Sequence, residues 1–141
     1  MVCIYCGGAT QVANSRLQKK SNNIWRRRRC LTCSAIFTSQ ERASYSQSLA
    51  LQTGTSHIVP FERDLLFLSV HDACRHRPHP AADAAALTET AIAALLRNSV
   101  SQGLIKRDDV VITTSTVLKR FDTIACVQYL AVHALRPAAT Y

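Results

Sequence analysis

The sequence predicts an α+β chain in two unequal parts, on three observations. Two Cys-x-x-Cys pairs, Cys3 with Cys6 and Cys30 with Cys33, bracket a short polar segment. Basic charge is concentrated before residue 43. From Pro60 onward, apolar residues recur at helical spacing.

A chain of 141 residues fits one ordinary domain or two small ones. It is 48% hydrophobic but only 6% aromatic, so its core must be largely aliphatic. No run approaches the roughly 20 apolar residues that cross a bilayer. The first residues lack the cationic and apolar regions of a signal peptide. The expected compartment is therefore the cytoplasm, where cysteines are thiolates or buried thiols rather than disulfides.

Charge separates the two parts. Up to Arg42 there are eight basic residues (Arg16, Lys19, Lys20, Arg26, Arg27, Arg28, Arg29, Arg42) against Glu41 alone, a surplus of seven; nearly all of the net +8 lies here. A basic head joined to a neutral body points to polyanion binding by the head and another task for the body. The expected organisation is a first domain over residues 1–43, a Ser/Gln-rich linker over 44–48 and a second domain over 49–137.

The cysteine spacing points to metal. Tetrahedral Zn²⁺ takes four soft donors at about 2.3 Å, and each Cys-x-x-Cys turn supplies two. Between the pairs lie only Val12, Leu17, Ile24 and Trp25 as sizeable apolar residues, too few for a core. One structural zinc on Cys3, Cys6, Cys30 and Cys33 must then carry much of the folding energy. Gly7 stands where a positive φ completes the first turn, Ser34 occupies the equivalent place in the second, and Phe37 is positioned to pack beside the site. Two disulfides would need an export signal, and an iron–sulfur cluster uses other spacings. Four thiolates leave no open position for substrate water, so the site is structural and the chain is not read as an enzyme; no nucleophile–base pair or Gly-rich phosphate loop appears either.

Trp25-Arg26-Arg27-Arg28-Arg29 runs into Cys30 and reads as a strand anchored by the metal. Side chains alternate, so Arg26 and Arg28 face one way and Arg27 and Arg29 the other. Such rows can meet phosphates or guanine edges, with Lys19, Lys20 and Arg16 adding contacts. RNA is the competing ligand. Its readers usually expose several stacking rings, whereas only Trp25 lies between Cys6 and Cys30, which favours duplex DNA.

In the second part, Leu49–Gln52 and His57–Val59 flank a turn at Thr53-Gly54 and predict a hairpin. Pro60 suits a first helical turn, with a helix from Phe61 to about His76 that Pro78 and Pro80 break. A second helix is expected from Asp83 to about Gln102, with Leu87, Ala91, Ala94 and Leu95 as its buried stripe and Gly103 as its cap. A third runs from about Asp109 to Arg120, capped by Asp108. A fourth, capped by Asp122, ends before Pro137. Cys74 and Cys126 read as small core residues. His71, His76 and His79 do not share a helix face and read as surface residues. Lys106-Arg107-Asp108-Asp109 reads as a capped, solvated turn.

The chain resembles the NrdR family, bacterial repressors of ribonucleotide reductase genes. The resemblance rests on the N-terminal Cys-x-x-Cys, Thr10-Gln11-Val12, Asn14-Ser15-Arg16, Arg26 through Cys33, Phe37-Thr38 and Glu41-Arg42. It continues more loosely through Pro60-Phe61-Glu62-Arg63, Cys74, Arg77-Pro78, Asp122, Ala125, Val127 and Val132. It implies a zinc ribbon followed by an ATP-cone, a helical nucleotide-sensing domain behind a β-hairpin. It further implies that ATP or dATP sets a homo-oligomeric state, which controls docking on a double-stranded operator in the nucleoid, through a population shift. Leu51, Gln52, Gly54 and Arg63 would lie at the nucleotide. The family's hairpin carries a basic pair, whereas Leu51-Gln52-Thr53-Gly54 has no cation, which removes attraction for a triphosphate. Two expectations stay open: phosphate contacts come from Arg63, Lys106 or Arg107, or the cone has become mainly an oligomerisation domain. The alternative for the whole chain is an RNA-binding zinc ribbon with a helical dimerisation domain that no longer binds nucleotide.

Overall fold

Three antiparallel strands, β1 (Thr10–Gln18), β2 (Asn23–Cys30) and β3 (Ile36–Arg42), form one sheet in the order β1-β2-β3. The computed structural model describes residues 1–19, 22–98 and 100–133. It divides into two compact units between Ala43 and Ser44.

The first unit buries little. Its only cluster of buried apolar residues is Cys3, Cys30 and Phe37, with Ala35 packed against them, among the described residues. Val12 is 42% exposed and Leu17 60% exposed, so the apolar side chains of β1 build no core. Pairing of β1 with β2 is regular except at Ala13. Gln11 faces Arg29 and Val12 faces Arg28, but the next pair is Asn14 with Arg27. Ala13 is thus the extra residue of a β-bulge.

The second unit opens with α1 (Tyr45–Ser48), a single helical turn where the sequence predicts a linker. It forms because Tyr45 has somewhere to pack: its ring meets Phe61 edge-on, centroids 6.5 Å apart. The hairpin follows as β4 (Ala50–Thr53) and β5 (His57–Pro60), with Gly54 at φ +73° in its turn. A third strand, β6 (Leu104–Lys106), joins β4 in parallel, giving the order β5-β4-β6.

Four longer helices complete this unit: α2 (Arg63–Ala73), α3 (Pro80–Asn98), α4 (Arg107–Phe121) and α5 (Thr123–Val132). Their boundaries correct several expectations. Pro60 ends β5 opposite Ala50 rather than opening a helix; β5 is an edge strand, where a missing N–H costs nothing. Pro80 opens α3 instead of breaking a chain of helix, since its fixed φ suits a first turn. Gly103 has φ +79°, but it turns the chain into β6, five residues beyond the end of α3. Lys106 closes β6 and Arg107 starts α4, so Lys106 rather than Asp108 flanks the helix, and Asp108 and Asp109 lie in its first turn. There their charge meets the positive end of the helix dipole. Asp122 does cap α5: its Oδ1 accepts from the Ile124 and Ala125 N–H groups at 2.8 and 3.1 Å. Pro137 lies outside the described residues.

The core is aliphatic. Leu66, Val70, Leu87, Ile92, Leu95, Ile105, Val111 and Leu118 are buried together with Phe61 and Tyr129. On α3 the buried stripe is Ala84, Leu87, Thr88, Ala91, Ile92 and Leu95; Ala94 lies at its edge, half-buried. Cys74 and Cys126 belong to the same core. Among the described residues, no helix is long and apolar enough to cross a membrane.

Candidate metal centre and nucleic-acid interface

The two Cys-x-x-Cys turns are built to bring sulfur together. In the first, Gly7 N–H donates to the Cys3 carbonyl at 2.9 Å and Cys3 N–H to the Gly8 carbonyl at 2.8 Å, with Gly7 at φ +72°. Ser34 takes φ +60° at the equivalent place of the second turn. Gly8, which the sequence reading passed over, is where the turns approach: a methyl there would collide with the Thr32 side chain. Leu31 N–H, donating to the Ala9 carbonyl at 2.9 Å, ties the second turn to the first.

The result is a cluster of Cys3, Cys6, Cys30 and Cys33 whose sulfurs all lie within 4.8 Å of one another. Cys3 and Cys33 sulfurs are 3.7 Å apart and those of Cys6 and Cys30 3.5 Å. A zinc–sulfur bond of about 2.3 Å implies a tetrahedron edge of about 3.8 Å, so the cage fits one zinc ion. The electrostatics agree. N–H groups of Cys33 and Thr32 point at the Cys30 sulfur and hold its pKa down to about 6. At Cys6 the Gly8 N–H pulls the same way, but the crowded sulfurs of Cys33 and Cys30 outweigh it and push the thiol up to about 12. All four sulfurs could be thiolates at this spacing only with a cation among them. Phe37 packs beside the cage, with the Tyr5 ring edge-on to it at 6.5 Å.

The arginine strand divides as alternation requires. Arg26 and Arg28 are half-buried, and Arg27 and Arg29 exposed. Arg26 Nη2 and Nε donate to Glu41 Oε2 at 2.7 and 3.2 Å, and Arg28 Nε donates to Ser39 Oγ at 2.9 Å. Arg27 and Arg29 have no such partner among the described residues. Residues opposite each other in an antiparallel pair share a face. Their face therefore carries Asn14 and Thr38 beside Arg27, and Gln11 and Ile36 beside Arg29. One row further along, Trp25 lies between Arg16 and Gln40. Lys19 is exposed beyond β1; Lys20 lies outside the described residues.

In the second unit the four hairpin-site candidates part company. Leu51 lines a pocket of about 210 Å³ beneath the hairpin, together with Val59, Phe61, Val110 and Tyr129. Gln52 Nε2 donates to the Thr55 carbonyl at 3.1 Å and Gly54 makes the turn, so both shape the hairpin. Arg63 is engaged elsewhere: Nε and Nη2 lie 2.8 Å from Glu89 Oε1, and Nη1 lies 2.9 Å from Asp64 Oδ1. Arg107 and His133 line the pocket, and Arg107 Nη1 lies 3.8 Å from Asp108 Oδ1. Burial, and then the Arg107 charge, hold the His133 imidazole below its ordinary range. Tyr129 and His133 gave no signal in the sequence, being single residues at the end of an apolar helix. A second, wider groove of about 600 Å³ runs along α2 and α5; Leu68 and Val132 on its walls are 54% and 77% exposed.

His76 and Arg77 converge on the cap of α5. His76 Nε2 lies 3.0 Å and Arg77 Nη1 2.9 Å from Asp122 Oδ2, while Arg77 Nε reaches Asp83 at 2.6 Å. The His76 contact, with the Ala125 N–H and Arg77, holds the Asp122 carboxyl well below the usual carboxylate range.

Comparison with known proteins bears on both units. Residues 1–41 match the family described as the transcriptional repressor NrdR-like N-terminal domain, a zinc ribbon. The transcriptional repressor NrdR of Tropheryma whipplei strain Twist is 31% identical over 134 residues, covering 94% of this chain and 87% of that protein. The NrdR of Sinorhizobium medicae is 34% identical over 136 residues, covering 94% and 83%. That of Xanthobacter autotrophicus is 35% identical over 141 residues, covering 94% and 72%.

Proposed function

Because the chain belongs to the NrdR family of transcriptional repressors, which are not enzymes, we propose that it silences ribonucleotide reductase genes by docking its zinc ribbon on duplex operator DNA. The observation that carries this reading is the exposed row of Arg27 and Arg29 on a sheet whose end is clamped by four cysteines. Arg16 and Lys19, exposed in the same unit, neutralise phosphates, as would Lys20. Rigid support matters because contacts to phosphates fix register only when the side chains that make them are held in place.

The test is competition between duplex DNA and single-stranded RNA for the zinc-loaded chain at fixed salt. Duplex should win. Its log affinity should fall linearly with log salt, and Arg16→Ala with Lys19→Ala should flatten that slope by about 2. Tighter binding of RNA would replace this reading with an RNA-binding ribbon joined to a dimerisation domain.

For the second unit the proposal is regulation by ATP or dATP through oligomeric state, with the base in the pocket under the hairpin and Arg107 at the phosphates. The exposed apolar groove along α2 and α5 supports self-association. A specific observation favours a second reading. Arg63 is already paired with Glu89 and Asp64, and the hairpin carries no Lys or Arg, so few charges remain for a triphosphate. On that reading the domain assembles copies of the chain without sensing nucleotide. Calorimetry with ATP and dATP separates the two: heat of binding that Arg107→Ala abolishes supports the first, and no heat with either nucleotide supports the second.

A further inference from the structure

The two faces of the ribbon sheet are not chemically equivalent, and the difference is sharper than a count of arginines suggests. On one face Arg26 is neutralised by Glu41 and Arg28 is bonded to Ser39. To reach a nucleic acid, each would first have to give up a contact that holds β2 to β3. On the other face, Arg27 and Arg29 are exposed, and each stands directly opposite an exposed amide: Asn14 across from Arg27 and Gln11 across from Arg29. None of these four side chains has a side-chain partner among the described residues. Glu41, the sole carboxylate side chain before residue 43, lies on the opposite face.

The bulge makes this arrangement. Gln11 and Asn14 are three residues apart, and in an uninterrupted strand they would point to opposite faces. The extra residue Ala13 resets the alternation, so that both amides come to the face of Arg27 and Arg29. A device that re-aims one polar side chain beside a cation is built for contact with something outside the sheet.

From this we infer that Arg27 with Asn14 and Arg29 with Gln11 are two base-reading pairs that enter the major groove of duplex DNA, while Arg26 and Arg28 brace the sheet. The inference rests on the duplex-DNA reading above. The chemistry suits the groove: a guanidinium matches guanine O6 and N7 bidentately, and an Asn or Gln amide matches adenine N6 and N7. The spacing suits it too. Same-face residues two apart on a strand are separated by about 6.8 Å, which is two base-pair rises of about 3.4 Å. The two pairs lie on β1 and β2 alone, with backbones about 4.8 Å apart, and a two-stranded ribbon is what the major groove admits. The two pairs then read purine-bearing positions two base pairs apart.

The experiment is selection from a duplex pool with a randomised core, using the full zinc-loaded chain with and without adenine nucleotide. It is repeated with Asn14→Ala, Gln11→Ala and Arg26→Ala, each checked for stoichiometric zinc. Asn14→Ala and Gln11→Ala should each erase preference at one position, lowering discrimination there by roughly 5-fold to 100-fold. The two affected positions should lie two base pairs apart, and Arg26→Ala should leave the selected sequence as it was. A motif that survives both amide substitutions, or that disappears in zinc-replete Arg26→Ala, would overturn the assignment while leaving the duplex reading intact. If the wild-type chain enriches no motif under either condition, the duplex reading fails and the assignment with it.

Discussion

The two units solve the problem of small size by opposite means. The ribbon buries three apolar residues around its sulfur cage, Cys3, Cys30 and Phe37, and leaves Val12 and Leu17 in water. Among the described residues, the second unit gathers sixteen buried ones into one largely aliphatic cluster, from Phe61 to Tyr129. A unit with almost no apolar interior cannot offset the entropy of ordering its chain, about 1–2 kcal/mol per residue, without an external source of cohesion. An ion held by the four cysteines would supply it. The second unit draws its cohesion from that aliphatic cluster.

This contrast is breakable by experiment, and the largest effect should come from the metal. Chelation, or Cys30→Ser, should unfold the ribbon outright, because structural zinc sites contribute about 10–16 kcal/mol of apparent binding energy to folding. The helical circular dichroism of the second unit should persist; its collapse together with the ribbon would show the two are not energetically separate. Next comes the aliphatic core. Ile92→Ala or Leu118→Ala, at positions 2% and 0% exposed, should cost the second unit about 3 kcal/mol in urea denaturation. Zinc stoichiometry should not change.

A smaller and pH-dependent effect is expected at the cap of α5. Asp122 is held ionised by His76, the Ala125 N–H and Arg77, so its folded pKa lies below its unfolded one. Its contribution is therefore present above the unfolded value of about 3.9 and is lost as pH falls from there toward the folded value. Asp122→Asn should lower the melting temperature of the helical unit at pH 7, and the gap from wild type should close progressively below about pH 4. A gap that does not depend on pH would assign the effect to cap geometry alone. Smallest of all should be Arg63→Ala, about 1 kcal/mol or less by denaturation, the usual scale for a partly exposed ion pair.

Sequence made the first unit almost wholly readable, because its determinants are local and chemically loud. Cysteine spacing, the glycine after the first pair, a run of arginines entering Cys30 and one phenylalanine define it. What spacing alone hid was the bulge at Ala13, since an inserted residue appears only when β1 is laid against β2. The same ambiguity kept the two arginine rows indistinguishable until Glu41 and Ser39 were found opposite one of them. In the second unit, long helices and the Asp122 cap were legible from periodicity and capping chemistry. Strand β6 was not: three residues, Leu104-Ile105-Lys106, are too few to show a period, and they become a strand only because β4 is there to pair with. That strand also moves the start of α4 back to Arg107 and turns an apparent surface loop into one wall of the hairpin pocket. Likewise Tyr45–Ser48, polar enough to read as spacer, folds because Tyr45 meets Phe61.

The alternation of the arginine strand has a consequence for how this protein can change. From Arg26 to Arg29, alternate side chains on β2 are tied to β3 and those between are exposed. Substitutions at the outward positions leave the bracing pairs whole. A single-residue gain or loss in β1 would leave those braces, which run to β3, in place and would turn the β1 side chains on one side of it to the opposite face. On the proposed reading, point replacement on that face shifts target preference without loosening the sheet, whereas a length change in β1 rearranges the face itself.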